Sequence, residues 1–300
     1  MARARSRNAT RSNVADEPSA PYDACMSAEE TMVRSDDPPA TVAVVVLTHN
    51  RLHLLRSCVE KVLARTSEAT TEIVIWNNAS ADGTELYLDG LDDPRIRVFH
   101  SRENIGQSGY RRAFALTSAS YLVELDDDVV DAPVDWDLTL LESFRRLPGI
   151  GFLAADLEDD PHDIAANYRY RVRPHLYTPT EVNGVPLLEG PAGGGCAMTS
   201  REIYDGVGGF RESKGQIFFL EDNAYIDDIK AAGYWAAVHG ELKVLHTGGP
   251  YYGAQTVEKD AYWERWHKSM ARRAAIKRFL LRVPFVRVAN ARRGWFEEPT

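Results

Sequence analysis

The chain has 300 residues, 44% hydrophobic and 10% aromatic, enough to bury a sizeable core. Its formal charge of −9 argues against nucleic-acid binding, and no apolar run approaches the roughly 18–20 residues of a membrane span. Three cysteines, Cys25, Cys58 and Cys196, lack metal-type spacing; an odd, sparse count points to free thiols in a reducing compartment, so a cytoplasmic protein is expected.

Residues 1–40 are rich in Ala, Ser, Arg, Asp, Glu and Pro and read as a disordered leader. The Arg-rich start has no apolar stretch behind it and is not a secretory signal. Order is expected from TVAVVVLTHN (41–50), a β-branched run suited to a strand buried on both faces. The following RLHLLRSCVEKVLART predicts a helix with Leu55, Cys58, Val59, Val62 and Leu63 on one stripe. TEIVIWNNAS (71–80) and RIRVFHS (95–101) predict strands. ENIGQSGYRRAF predicts a turn entering a helix, and YLVELDDD (121–128) a fourth strand. This alternation predicts a doubly wound α/β sheet with helices on both faces, whose ligands bind at the carboxyl ends of the strands. THN, NNAS, HSREN and DDD all fall there.

The later half is less regular. GIGFLAADLED predicts another strand, and 160–190 is an excursion without a clear period. GPAGGGCAMTSREIYDGVGGF predicts a Gly-rich turn, a short strand and a short helix. FFLEDNAYIDDIKAAGY predicts a helix opening on acids, and WAAVHGELKVLHTGG a last strand. One mixed α/β domain over 41–255 is expected, with halves at about 41–130 and 131–255, then a basic helical tail over 256–300.

Asp126, Asp127 and Asp128 pose a chemical question, because adjacent ionised carboxylates raise one another's pKa unless a positive group sits among them. On an extended chain Asp126 and Asp128 share a face and Asp127 points elsewhere. A hard divalent cation such as Mn²⁺ or Mg²⁺ fits, as does a solvated acidic loop, or carboxylates favouring the next helix's N-terminus.

VAVVVLTHNR, IVIWNNASADGT, ENIGQSGYRRAF, LDDD, GGGCAMTSREIYDGVGGF and EDNAYIDDIKAAGY resemble, in order and spacing, the motifs of family 2 glycosyltransferases. These are inverting enzymes of the GT-A fold, and the resemblance covers roughly residues 41–250. It implies a nucleotide-sugar donor across the strand ends, contacted by Asp126 and Asp127. It implies a divalent metal held by Asp126 and Asp128, with His246 as a further ligand. The nucleobase is then expected near Thr48, His49, Asn50, Arg51, Asn77 and Asn78. Asn77-Asn78 stands where the family usually has Asp-Asn, which leaves uridine or thymidine as first choices. Asn104, Gly106 and Arg111 match the element bordering base and diphosphate. The family's Glu-Asp motif falls on Glu221 and Asp222, so Asp222 is expected as general base and Glu221 as its support. Ala224 stands where many relatives have another Asp. Gly194 and Gly195 are expected to border the acceptor, with the 160–190 excursion (Tyr168, Tyr170, Arg171, Tyr177) tuning its choice.

Residues 265–293 carry ten Lys/Arg and no Asp or Glu. In KSMARRAAIKRFLLRVPFVRV, Met270, Ala274, Ile276, Lys277, Leu280 and Leu281 form an imperfect stripe, and Pro284 ends or kinks the helix. Such a helix suits an anionic membrane at its inner face, the protein's own acidic domain, or an acidic partner. The expected function is inverting transfer from a nucleotide sugar to a hydroxyl acceptor on a glycan, a lipid-linked sugar or a small metabolite. A sugar-phosphate nucleotidyltransferase is the first alternative, disfavoured because THNR has no glycine for a phosphate loop. A non-catalytic binder of nucleotide sugars is the second, disfavoured by the retained acids of both DDD and ED.

Overall fold

In the computed structural model, residues 40–159, 174–212, 221–247, 264–265, 268–269, 271–272 and 275–286 are described. The chain from Ala40 onward is one compact unit. Strand β1 (Val42–Thr48) is buried along its whole length, as an all-apolar run at the centre of a sheet must be. It pairs in parallel with β2 (Thr70–Asn77) and β4 (Tyr121–Asp126), and β2 pairs with β3 (Ile96–His100). The crossovers are helical. α1 (Leu52–Ser57) continues through a π turn at Cys58–Val62 and a 3-10 turn at Leu63–Arg65, burying Leu54, Leu55, Cys58, Val62 and Leu63. α2 (Thr84–Asp89) and α3 (Ser108–Phe114) complete this half. A Cβ on Gly109 would lie 2.4 Å from Leu47 Cδ1 and 3.1 Å from Trp76 Cδ1, so glycine lets α3 settle directly on the β1–β2 surface.

Past β4 the sheet becomes mixed. β5 (Val129–Asp131), α4 (Trp136–Arg146) and β6 (Ile150–Asp159) come next. β7 (Thr178–Val182) and β8 (Val185–Glu189) form a hairpin, followed by β9 (Cys196–Ser200), α5 (Arg201–Gly206), α6 (Glu221–Ala231) and β10 (Trp235–His246). The order is β3-β2-β1-β4-β9-β6-β10-β8-β7, with β5 also pairing β10. β9 runs antiparallel to both β4 and β6, while β10 is parallel to β6. The hairpin lies inside the supposed excursion. Asn183 (φ 50°) and Gly184 (φ 72°) form its two-residue turn, whose left-handed backbone matches the twist of paired strands. Tyr168, Tyr170 and Arg171 lie outside the described residues, and Tyr177 is buried in the core.

Two polar devices fix the second half. Asp137, buried in the first turn of α4, accepts hydrogen bonds from Ser67 N, Ser67 Oγ and Thr70 Oγ1. His239 Nδ1 accepts from Leu242 N at 2.9 Å and Glu241 N at 3.2 Å, inside the register shift between Val238 and Lys243. That bulge re-aims the end of β10, where His246 pairs with Val129 of β5. Cys58 and Cys196 are free and buried, and Cys25 is outside the described residues. No helix among the described residues is long and apolar enough to cross a membrane. In the tail, helical turns cover 275–281 and resume at Pro284, which cannot continue a helix but starts one well. Ile276 (49% exposed), Phe279 (66%) and Val283 (40%) lie at i, i+3 and i+7, while Leu280 and Leu281 are half-buried.

Candidate active site

The carboxyl ends of β1, β2 and β4 form one rim, with Thr48 opposite Asn77 and Leu47 opposite Asp126. The positive group among the three carboxylates is Arg51. Its guanidinium pairs with Asp127, and Nη1 donates to Asp128 Oδ2 at 3.0 Å. Asp127 and Asp128 are almost completely buried. Burial pushes the Asp127 carboxyl up to about 7 against the pull of Arg51. Asp126 is raised as well, by burial and the neighbouring charge of Asp128.

The other side of this cluster faces His246. Asp128 Oδ1 is 3.2 Å and Asp126 Oδ2 3.9 Å from His246 Nε2. One ligand atom from each of Asp126, Asp128 and His246 falls within 4.8 Å of the others. Backbone pairing brings this about. β5 returns the chain from Asp128 against β10, and Thr247 N donates to Asp128 O at 2.9 Å. Two carboxylates and an imidazole, with Asp128 Oδ1 buried, are a donor set that fits a divalent cation of the Mn²⁺ or Mg²⁺ kind.

On the β2 side, Asn77 and Asn78 are buried and their amides serve the rim itself. Asn78 Nδ2 donates to Asn104 Oδ1 (2.7 Å) and Gly106 O (3.2 Å), and Asn78 Oδ1 accepts from Ile105 N. Asn77 Oδ1 accepts from Ser80 N, and Nδ2 donates to His100 Nδ1, whose Nε2 meets Asp89. Asn50, left-handed at φ 53°, ties the β1 end to the next loop through Ala81 N and Ser80 Oγ. His49 Nδ1 donates to Asn78 O at 2.7 Å. Arg111 is turned another way, donating to the carbonyls of Gly208 and Phe210.

At the β9 side, Asp222 opens α6 and its two oxygens accept from Gly194 N (2.8 Å) and Asn223 N (2.7 Å). Burial raises its pKa against these two hydrogen bonds. Beneath it lies a carboxyl the sequence reading passed over. Glu124 sits inside β4, 2% exposed, on the same face as Asp126. It neighbours Glu221, and burial pushes both well above the ordinary carboxylate range. A Cβ on Gly194 would lie 2.6 Å from Glu124 Oε1, so glycine admits this acid under the loop. Gly195 takes φ +96°, and its carbonyl accepts from Asp126 N at 2.8 Å. The signal in the sequence was a Glu at every-second-residue spacing from Asp126 and Asp128, inside an otherwise apolar strand.

Comparison with known proteins places this rim in context. An uncharacterized protein, y4gI, of Sinorhizobium fredii (strain NBRC 101917 / NGR234) is 27% identical over 254 residues, 77% of this chain. The chain spans only 27% of that relative's length. Among solved structures, the mannosyltransferase PcManGT of Pyrobaculum calidifontis, in complex with GDP-Man and Mn²⁺, superposes with a TM-score of 0.50 at 18% identity. That match covers 70% of this chain and 59% of the other. GalNAc-T7, with UDP, GalNAc and Mn²⁺, gives 0.51 at 16% identity, over 71% of this chain and 45% of the other. At such identities the two establish the fold, which is GT-A. Residues 43–208, more than half of the chain, match the model of glycosyl transferase family 2, and the chain belongs to that family of glycosyltransferases.

Proposed function

We propose that the protein transfers a sugar, with inversion, from a nucleoside-diphosphate sugar to a hydroxyl acceptor, with a divalent cation at Asp126, Asp128 and His246. The observation that carries this is the convergence of those three side chains at the carboxyl rim. When bound, the cation would offset negative charge on the departing nucleoside diphosphate. An imidazole among the ligands favours Mn²⁺ over Mg²⁺, which prefers an all-oxygen shell. Base and ribose are assigned to the surface of Thr48, Asn50, Asn77, Asn78, Asn104 and Gly106. Asn77 Oδ1 keeps a second lone pair beside the one given to Ser80 N and can accept a pyrimidine N3–H, which supports UDP or dTDP. Arg51 acts on the donor through Asp127 and Asp128, and Arg111 through the 208–210 turn.

Asp222 is the proposed base. Its oxygens are oriented by Gly194 N and Asn223 N, and each retains a lone pair for an acceptor hydroxyl. The Glu221–Glu124 pair braces it from below, and Gly194 and Gly195 leave room for the acceptor. Calorimetric titration with UDP, dTDP and GDP, each with Mn²⁺ and with EDTA, tests the reading. One nucleotide is expected to bind, and only with the metal; binding indifferent to metal would overturn it.

We also propose that the tail brings the enzyme to an anionic membrane surface. Exposed Ile276, Phe279 and Val283 alongside Lys277, Arg278 and Arg282 support this. Co-sedimentation is expected with vesicles containing anionic lipid and not with neutral ones. Equal binding to both, or to neither, removes the proposal.

A further inference from the structure

The two carboxylates of the triad are not free to choose which oxygen they present. Asp128 Oδ2 is engaged by Arg51, which leaves Oδ1 toward His246. Asp126 has an equivalent partner that the function has not yet used. Tyr110 lies in α3 with 1% exposure, and its hydroxyl is 2.9 Å from Asp126 Oδ1 and 3.0 Å from Leu125 O. One hydroxyl proton cannot serve both fully, and the charged carboxylate is the stronger acceptor. A buried hydroxyl is costly without a partner, and of the two acceptors this one meets, only the Asp126 carboxylate belongs to the triad.

The ring itself has little freedom. Its neighbour Gly109 sits against Leu47 and Trp76, and the ring centroid packs 6.4 Å from those of both Phe114 and Phe210. Tyr110 is therefore a rigid donor aimed at one oxygen of Asp126. The other oxygen, Oδ2, faces His246.

We propose that Tyr110 is a positioning residue for the metal centre: its hydroxyl holds Asp126 Oδ1, so that Oδ2 alone is offered to the cation. The inference rests on the metal reading above, and extends it to a group that touches neither cation nor donor. Outer hydrogen bonds of this kind orient a ligand before the metal arrives, and losing one typically weakens metal affinity about 10–100-fold.

The test is Mn²⁺ titration of the full chain, followed by the electron paramagnetic resonance of free Mn²⁺, for wild type, Tyr110→Phe and Tyr204→Phe. Tyr204 is a second buried tyrosine in the same aromatic cluster, remote in role from the triad. Tyr110→Phe is expected to bind Mn²⁺ about 10-fold more weakly, and excess Mn²⁺ should restore its nucleotide binding. Tyr204→Phe should match the wild type in Mn²⁺ affinity. Equal affinity in Tyr110→Phe, or equal weakening in both variants, overturns the positioning role. Absence of Mn²⁺ binding in the wild type defeats the metal reading itself. If Tyr110→Phe melts too low to titrate, 3,5-difluorotyrosine at position 110 keeps the shape and makes the hydroxyl a stronger donor. It must then shift the Mn²⁺ affinity, and no shift overturns the proposal.

Discussion

Asp222→Asn is expected to bind nucleotide and metal as the wild type does, while transfer falls by about 10²–10⁴-fold. The substitution preserves size and position. Gly194 N and Asn223 N meet different oxygens of Asp222, and an asparagine puts a donating NH₂ in place of one of them, so one of the two orienting bonds is lost. The chemical loss is larger. An amide does not take up a proton at neutral pH, so an acceptor hydroxyl has no base. The pH profile separates this from mere loosening. Burial raises the Asp222 pKa, and only the deprotonated form works, so wild-type kcat/KM should rise with pH through a value above the ordinary carboxylate range. In Asp222→Asn the residual rate should lack that limb. Full transfer in the variant, or a retained limb, would remove Asp222 from the base role.

The second large effect is expected at Asp128. Asp128→Ala removes the oxygen facing His246 and one of the two carboxylates paired with Arg51. Arg51 keeps Asp127, so no buried guanidinium is left without a carboxylate. The fold should therefore persist while Mn²⁺-dependent nucleotide affinity falls on the order of 100-fold or more. Calorimetry with the nucleotide that binds wild type, run with Mn²⁺ and with EDTA, measures this directly. Unchanged, metal-dependent affinity would mean that the acids at 126–128 are a structural cluster and that the donor binds elsewhere.

Strand identity was legible wherever local pattern and tertiary burial agreed. The β-branched run of β1, the turn into α3 and the acid-led start of α6 are examples. What was missed followed a different rule each time. The β7–β8 hairpin was announced by Asn183-Gly184, but β7 buries none of its residues fully, so TPTEV carries no apolar alternation and the turn was the strong sign. Glu124 was absorbed into an apolar strand, because a buried acid is unusual and its partner, Glu221, lies far along the chain. Arg51 was expected at the donor; its pairing with Asp127 and Asp128, which follow the neighbouring strand β4, was not legible because the partners lie far along the chain. Asn77 and Asn78 resembled base-reading groups, yet most of their hydrogen-bonding capacity maintains the rim. Motif spacing reports which residues arrive at the rim; it does not report what each is already bonded to.

The pairing of β5 with β10 also sets an order of events during synthesis. His246 stands on β10, the last strand among the described residues, and the bond between Thr247 and Asp128 joins residues 119 positions apart. The parallel strands β1 to β4 leave the ribosome well before β10 is made. They then carry Asp126 and Asp128 but lack the imidazole. No N-terminal fragment that stops short of β10 holds the full ligand set. On the proposed metal reading, capture of a cation by all three side chains thus waits on the pairing of β10 with β5, a contact of long sequence separation.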